Sequence, residues 1–255
     1  MPMPIFVSKA DFNQSQLALG DQTYNFNSIQ IIKSQFIDTY LNVKKLMVNN
    51  QYGHFNVSGK VDFKQNYPVA LSLKTNTPKD ALIEGLVKQT LAVQATGDFA
   101  DLGLTISGQG DSDFNLNAHL NLTQKKLPYK IHLKAKHLGW PLTQYHYQVT
   151  NADFSSKGNL NKQSLKLSAQ VSSPFGNELK VSSQIKHRLK DQLGSLEINN
   201  LQVKGKAIED LKLSGLVTYQ ASAKDHPFNL NWQTQINARN FEPNKLKLFS
   251  TEFPQ

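Results

Sequence analysis

Apolar side chains recur at every second position over much of this chain, a period that places them on one face of a β-strand. Between Gly53 and Phe63 the odd positions read Gly53, Phe55, Val57, Gly59, Val61 and Phe63, and the even ones His54, Asn56, Ser58, Lys60 and Asp62. Such a segment is a half-buried antiparallel strand with one wet side, and its glycines suit a bend. The pattern returns at Leu102, Leu104 and Ile106, at Phe114, Leu116, Ala118, Leu120 and Leu122, and at Ile131, Leu133 and Ala135. Leu165, Leu167, Ala169 and Val171 repeat it, as do Leu179, Val181 and Ile185. Leu211, Leu213, Gly215, Val217 and Tyr219, then Phe228, Leu230, Trp232, Ile236 and Ala238, close the series. The alternation predicts about a dozen strands.

Short polar breaks with turn chemistry separate these runs, among them Gly108-Gln109-Gly110-Asp111, Ser173-Pro174-Phe175-Gly176-Asn177 and Lys224-Asp225-His226-Pro227. Breaks this short favour hairpins over helical crossovers. Leu82, Ile83, Leu86 and Val87 stand at helical spacing after Thr77-Pro78. They offer a short helix near 79–90 as an alternative to a loop leading into a strand at Leu91, Val93 and Ala95. A degenerate unit of Pro, apolar, any, apolar, any, apolar appears at Pro68–Leu73, Pro128–Leu133 and Pro227–Trp232. Proline fits the first residue of a strand, where its missing donor matters least. The unequal offsets exclude a fixed-period solenoid. Composition hardly shifts from end to end, so residues 1–255 read as one segment without an internal boundary.

Counting the 14 Gly in place of the 8 Tyr brings the 39% apolar fraction to about 41%, below the ~45–50% of ordinary globular domains. That suffices for one core-facing side per strand and argues against doubly wound α/β folds, whose strands are buried on both faces. The formal charge is +9, from 28 basic and 19 acidic residues. Only Arg188 and Arg239 are arginine, whereas reading phosphates and guanine edges favours Arg. The lysines are scattered, and in runs such as Leu133-Lys134-Ala135-Lys136 each stands a step from an apolar neighbour. This is the wet face of soluble strands, and no nucleic-acid partner is expected. Cysteine is absent, which excludes thiolate metal sites, disulfides and Cys nucleophiles. No run approaches the ~20 apolar residues of a membrane helix, and the first residues lack the features of a signal peptide.

Searching for chemistry yields little. The nucleophile elbow, the P-loop and H-E-x-x-H are missing. Gly108-Gln109-Gly110 lacks the third glycine and the helix of a dinucleotide site. His132 and His137 are five apart, on opposite faces of a strand, and His119, His146 and His226 have no partner at ligand spacing. Asp111 and Asp113 read as turn caps without a third acidic ligand. Tyr145 and Tyr147 continue into Val149 as ordinary packing. No catalytic residue, metal or cofactor is expected. What remains is the apolar face, which must pack against a second sheet, close into a barrel, or curl into a trough holding something apolar.

Gly59-Lys60-Val61-Asp62-Phe63 with Tyr67–Leu73, Leu104–Asp111 and Gly139-Trp140-Pro141-Leu142 together resemble the TamB family of AsmA-like envelope proteins of Gram-negative bacteria, over roughly residues 50 to 240. The resemblance implies an all-β fold: an elongated, curved, mainly antiparallel sheet forming an apolar-lined groove, taco-like in section. It implies a periplasmic location and an interior fragment of a longer repeat protein anchored in the inner membrane. It also implies movement of phospholipid between the membranes, and outer-membrane protein assembly and secretion with a TamA-like barrel partner. The residues expected to line the groove are Val57, Val61, Phe63, Leu71, Leu73, Leu116, Leu120, Ile131, Leu133, Leu211, Leu213, Leu230 and Trp232. The alternatives are a structural or adhesive β-sandwich or β-solenoid with a sealed core, and an outer-membrane barrel with its apolar side turned to lipid.

Overall fold

The structure, a computed structural model, describes residues 3–20, 22–64, 66–77, 89–140, 147–173, 176–190, 193–206, 208–220 and 229–241. All regular structure among them is β. The chain parts into two compact units, residues 1–125 and 126–255. The first holds β1 (Ile5–Leu19), β2 (Gln22–Ile37), β3 (Tyr40–Asn50), β4 (Gly53–Asp62), β5 (Val69–Asn76), β6 (Thr90–Asp98), β7 (Asp101–Gln109) and β8 (Asp113–Leu120). The second holds β9 (Tyr129–Trp140), β10 (Tyr147–Gly158), β11 (Lys162–Ser173), β12 (Gly176–Lys190), β13 (Leu193–Gly205), β14 (Ile208–Gln220) and β15 (Asn229–Phe241). Within each unit every strand pairs antiparallel with its sequence neighbours, giving an open meander. The helix expected near 79–90 falls on residues 78–88, outside the described residues; Gln89 is non-helical and Thr90 opens β6.

Turns close these hairpins with short side chains that hold the backbone, as the polar breaks predict. Asp98 Oδ1 accepts from the Ala100 and Asp101 amides at 2.7 and 3.0 Å, joining β6 to β7. Asn159 Oδ1 does the same for Asn161 and Lys162 at 2.9 and 3.0 Å, joining β10 to β11. Gly97 stands at φ 108, and a Cβ there would lie 2.1 Å from the Asp101 carbonyl oxygen, so only glycine fits this turn.

Antiparallel partners share a face, so the register sorts the side chains. In the first unit Ile31, Leu46, Val57, Leu73, Val93, Ile106 and Leu116 form one unbroken row across β2 to β8. A parallel row runs Phe36, Leu41, Val61, Val69, Gly97, Leu102, Leu120. The opposite face carries polar rows such as Ser58, Ser72, Gln94, Thr105 and Asn117. In the second unit Leu133, Phe154, Leu167, Ser183, Leu201, Leu213 and Ile236 make the corresponding apolar row.

Several strands reach this alignment by changing phase. β3 presents Leu41 and Val43, then Leu46 and Val48, with a bulge between Val43 and Leu46. β2 changes phase beside Lys33, whose φ is 48, and β10 beside Asn151, whose φ is 50. β13 passes from Leu196 and Ile198 to Leu201 and Val203 through a bulge. β1 pairs Val7 with Ser34 and Ala10 with Ile31, following β2. A bulge inserts one residue and re-aims those beyond it, so the apolar side chains stay on one face.

One end of the first unit is fastened by a fully buried amide. Gln89 is 0% exposed. Its Nε2 donates to the Ser112 carbonyl at 2.8 Å, and its Oε1 accepts from the Ser112 amide at 2.9 Å. Its own amide donates to Thr77 Oγ1 at 2.9 Å. The residue thereby ties the β7–β8 turn, through its side chain, to Thr77 just after β5, through its backbone amide. Removing one member leaves buried backbone groups unpaired, which costs about 1–3 kcal/mol each. Gln89→Leu is expected to lower unfolding stability by about 2 kcal/mol, read as a lower urea midpoint with unchanged slope. A midpoint equal to that of the unaltered protein would show the amide to be dispensable.

Candidate functional site

The candidate site is the apolar face itself. Among the described residues the buried hydrophobic side chains are four alanines, Ala118, Ala135, Ala152 and Ala169. The leucines, valines and isoleucines around them remain partly open. A sheet covered by a second layer buries its large side chains and leaves the small ones no more hidden than their neighbours. Here the small residues are hidden between larger neighbours on the same sheet, and among the described residues no second layer lies over the face within either unit. The described burial therefore does not fit the sealed-core sandwich.

Eleven of the thirteen residues named from the sequence stand within these rows or extend them closely. Val57, Leu73 and Leu116 share one row, and Val61 and Leu120 another. Leu71 lies between them, paired with Gly59 and Ala95, and is 40% exposed. Phe63 follows β4 and meets Phe36 edge-on at a centroid distance of 6.5 Å. Ile131 shares its row with Leu165 and Ile185 through Ser156. Leu133 and Leu213 share the Phe154 row, and Leu211 pairs with Val203 and Ala238. Leu230 and Trp232 lie on β15, opposite Tyr219 and Val217, and are the most open, at 54% and 70%. The structure adds residues that the alternation overlooks, notably Ile31, Phe36 and Leu46 in the first unit and Phe154, Ile198 and Leu201 in the second.

Polar groups interrupt the face at few places. The hydroxyls of Ser34, Thr75 and Ser183 are buried there and make no hydrogen bond to protein. His187 Nε2 lies 2.7 Å from the Tyr219 hydroxyl, with the rings stacked at 6.0 Å. Tyr219 lies flat over Gly194, where a Cβ would be 2.0 Å from the ring.

The outer face is solvated and charged. Asp210 is held below its ordinary value of 3.8, first by the Gln202 amide donating at 2.5 Å and then by Lys212 at 3.4 Å. A depressed carboxyl contributes stability that is present above the ordinary value and lost as pH falls through the lowered one. Gln202→Leu is expected to move the Asp210 titration midpoint upward, measured by carboxyl NMR; an unmoved midpoint would assign the depression to Lys212 and Lys204.

Among the described residues no three of His, Asp and Glu gather to hold a metal ion. His132 pairs with Asp153 at 3.0 Å and His119 approaches Asp101 at 3.6 Å. No described helix is long and apolar enough to cross a membrane.

These features define a class: antiparallel β-meanders whose apolar side is left open among the described residues of each unit. The chain matches the family model of the TamB N-terminal domain over residues 1–248, and it belongs to the TamB family. This is a family of Gram-negative envelope proteins associated with TamA in the translocation and assembly module, and it is not a known enzyme family. No solved structure matches the chain.

An uncovered face is open to a spectroscopic check, because Trp140 and Trp232 are the only tryptophans. In a Trp140→Phe variant the emission of Trp232 is expected at the wavelength of water-exposed indole, with a blue shift when a non-ionic detergent is added. Blue emission before the addition would mean that something already covers β15.

Proposed function

We propose that the apolar face of this TamB-family chain shields the acyl chains of phospholipids as they cross the periplasm between the inner and outer membranes. The observation that carries the reading is the burial pattern: rows of leucine, valine and isoleucine run from strand to strand, and among the described hydrophobic residues the buried ones are alanines. Exposed apolar surface on this scale marks a site for an apolar partner. Burial is worth about 0.8 kcal/mol per methylene. An acyl chain of about 16 carbons entering water unaided therefore forfeits on the order of 12 kcal/mol. A lining of this kind removes most of that barrier, and it needs no catalytic group.

In this reading the chain is a periplasmic, non-enzymatic segment of a protein anchored in the inner membrane, and Val57, Val61, Leu73, Leu116, Leu120, Ile131, Leu133, Leu211 and Leu213 form the floor of the path. Phe63, Leu71, Leu230 and Trp232, which are more open, make the first contacts. Assistance to outer-membrane protein assembly and secretion with a TamA-like barrel draws on the same face, since a nascent barrel strand also presents one apolar side.

A photo-crosslinking phenylalanine analogue at Leu73 or Leu133 is expected to capture phospholipid in living cells, whereas the same analogue at Ser72 or Lys134, on the outer face, captures little. Leu133→Asp places a charge in the middle of a row and is expected to lower several-fold the lipid recovered in organic extracts while the purified protein stays folded by circular dichroism. Equal capture from both faces, or none from either, would refute the reading.

A further inference from the structure

The outer face of the second unit carries a feature that the apolar lining does not explain. On β9 to β12, Lys130 stands directly opposite Lys157, and Lys162 directly opposite Arg188. Ser164 pairs with both Lys157 and Lys186, setting those two lysines on either side of one hydroxyl. Lys166 lies in the next outward row, opposite Ser155 and Gln184. All six cations are exposed. Like charges directly opposite one another destabilise a sheet, so folding alone does not account for this arrangement. Acidic relief is slight among the described residues. Glu197 reaches Lys186 only at 3.9 Å, and Asp153 is engaged by His132 at 3.0 Å. Asp191 follows β12 in sequence and lies outside the described residues.

The cations surround a hollow. Lys157, Lys162, Ser164, Lys186 and Arg188 line an open cleft of about 390 Å³, and Lys130, Lys157, Ser164 and Lys166 line a second that shares Lys157 and Ser164 with it. We propose that this cluster on β9–β12 is a docking surface for the phosphate headgroups of an anionic phospholipid leaflet. Three features select that partner. Five of the six cations are lysines, compact charges that serve a field of phosphates without fixed geometry, where base reading favours arginine. Among the described residues the rows around the clefts offer Ser155, Ser164 and Gln184 and no Phe, Tyr or Trp, and His132 in the same row is engaged by Asp153, whereas single-stranded nucleic acid is held by stacking. The cluster also lies at the strand ends where the opposite face begins its apolar rows with Ile131 and Ile185, so a leaflet docked there meets cations on one side of the sheet and apolar side chains on the other. This surface is distinct from the acyl lining and does not depend on it.

The test is co-flotation of the purified chain with phosphatidylcholine vesicles, with and without phosphatidylglycerol, over a range of salt. The unaltered chain is expected to float with the anionic vesicles at low salt and to be released as salt rises. Each lysine near an anionic surface contributes roughly fivefold to binding, so the Lys157→Gln, Lys186→Gln double variant is expected to bind on the order of tenfold or more weakly. Its thermal midpoint should equal or exceed that of the unaltered chain, because charge repulsion is relieved. Should that variant fold poorly, the Lys162→Gln, Arg188→Gln pair provides the same comparison.

Equal flotation with neutral and anionic vesicles, or unchanged binding by a folded double variant, would overturn the proposal. So would tighter binding to a single-stranded oligonucleotide, which would reassign the cluster to nucleic acid. Release by inorganic phosphate at the vesicle phosphate concentration would reassign it to the free anion. Lipid recovered in organic extracts separates this surface from the lining: the lysine variants are expected to retain it, and Leu133→Asp to lose it while keeping its preference for anionic vesicles.

Discussion

Register is the constraint on which the rest depends. With a side-chain period of two, a slip of one residue sends every apolar side chain of a strand to the wrong face. The rows through Leu73 and through Leu133 exist because each pairing keeps the same phase across its unit. Where the sequence falls out of phase, the backbone changes instead. The bulge between Val43 and Leu46, and the left-handed conformations of Lys33 and Asn151, are local distortions that keep the face continuous. Left-handed backbone at a non-glycine residue is energetically unfavourable. That it is tolerated at Lys33 and Asn151 shows how strongly an unbroken apolar face is favoured.

A meander in which each strand meets only its sequence neighbours is close to one-dimensional, and its stability is a sum of neighbouring interfaces. Such a sheet can hold together without a second layer. The hairpin turns held by Asp98 and Asn159, and the Gln89 amide that ties one turn to another strand's end, supply fixed points between rows. An uncovered face is compatible with this kind of stability, whereas a sandwich loses most of its core when one layer is taken away.

The alternation made the all-β, antiparallel character plain, together with one apolar side per strand. β4, β5, β6, β7 and β8 keep a single phase from end to end, and their residues are readable directly. The expected number of strands was smaller than the fifteen found, and the shortfall lies in β1, β2, β3, β10 and β13. All five change phase, as does β9 beside β10. Leu41, Val43, Leu46 and Val48 show two pairs at period two, displaced by one residue, a signature of a bulge that a strict alternation count discards. The uncovered state of the face was not legible, because the same pattern serves a sealed sandwich, a barrel and a trough alike. Burial answers that question for the described residues of each unit: large side chains stay open while alanines are hidden. The cross-strand pairs Lys130–Lys157 and Lys162–Arg188 were illegible for another reason. Nothing in a single strand's sequence tells which lysine will stand opposite which.

The distribution of small residues follows from the same logic. Across β4 to β8 one row reads Gly59, Leu71, Ala95, Leu104, Ala118, with small and large residues in turn. Beneath a second sheet each small residue would have to be filled from above or leave a cavity, and unfilled cavity is destabilising by about 24 cal/mol per Å³. On an uncovered face the same residues form hollows between leucine ridges at no such cost. Gly59 stays glycine for a backbone reason as well, since a Cβ there would lie 2.3 Å from the Ala70 carbonyl oxygen. A flexible hydrocarbon can follow relief of this kind, whereas a rigid facing sheet would need side chains matched to every hollow. The alternation of small and large residues therefore fits the proposed acyl chain better than a covering layer of protein.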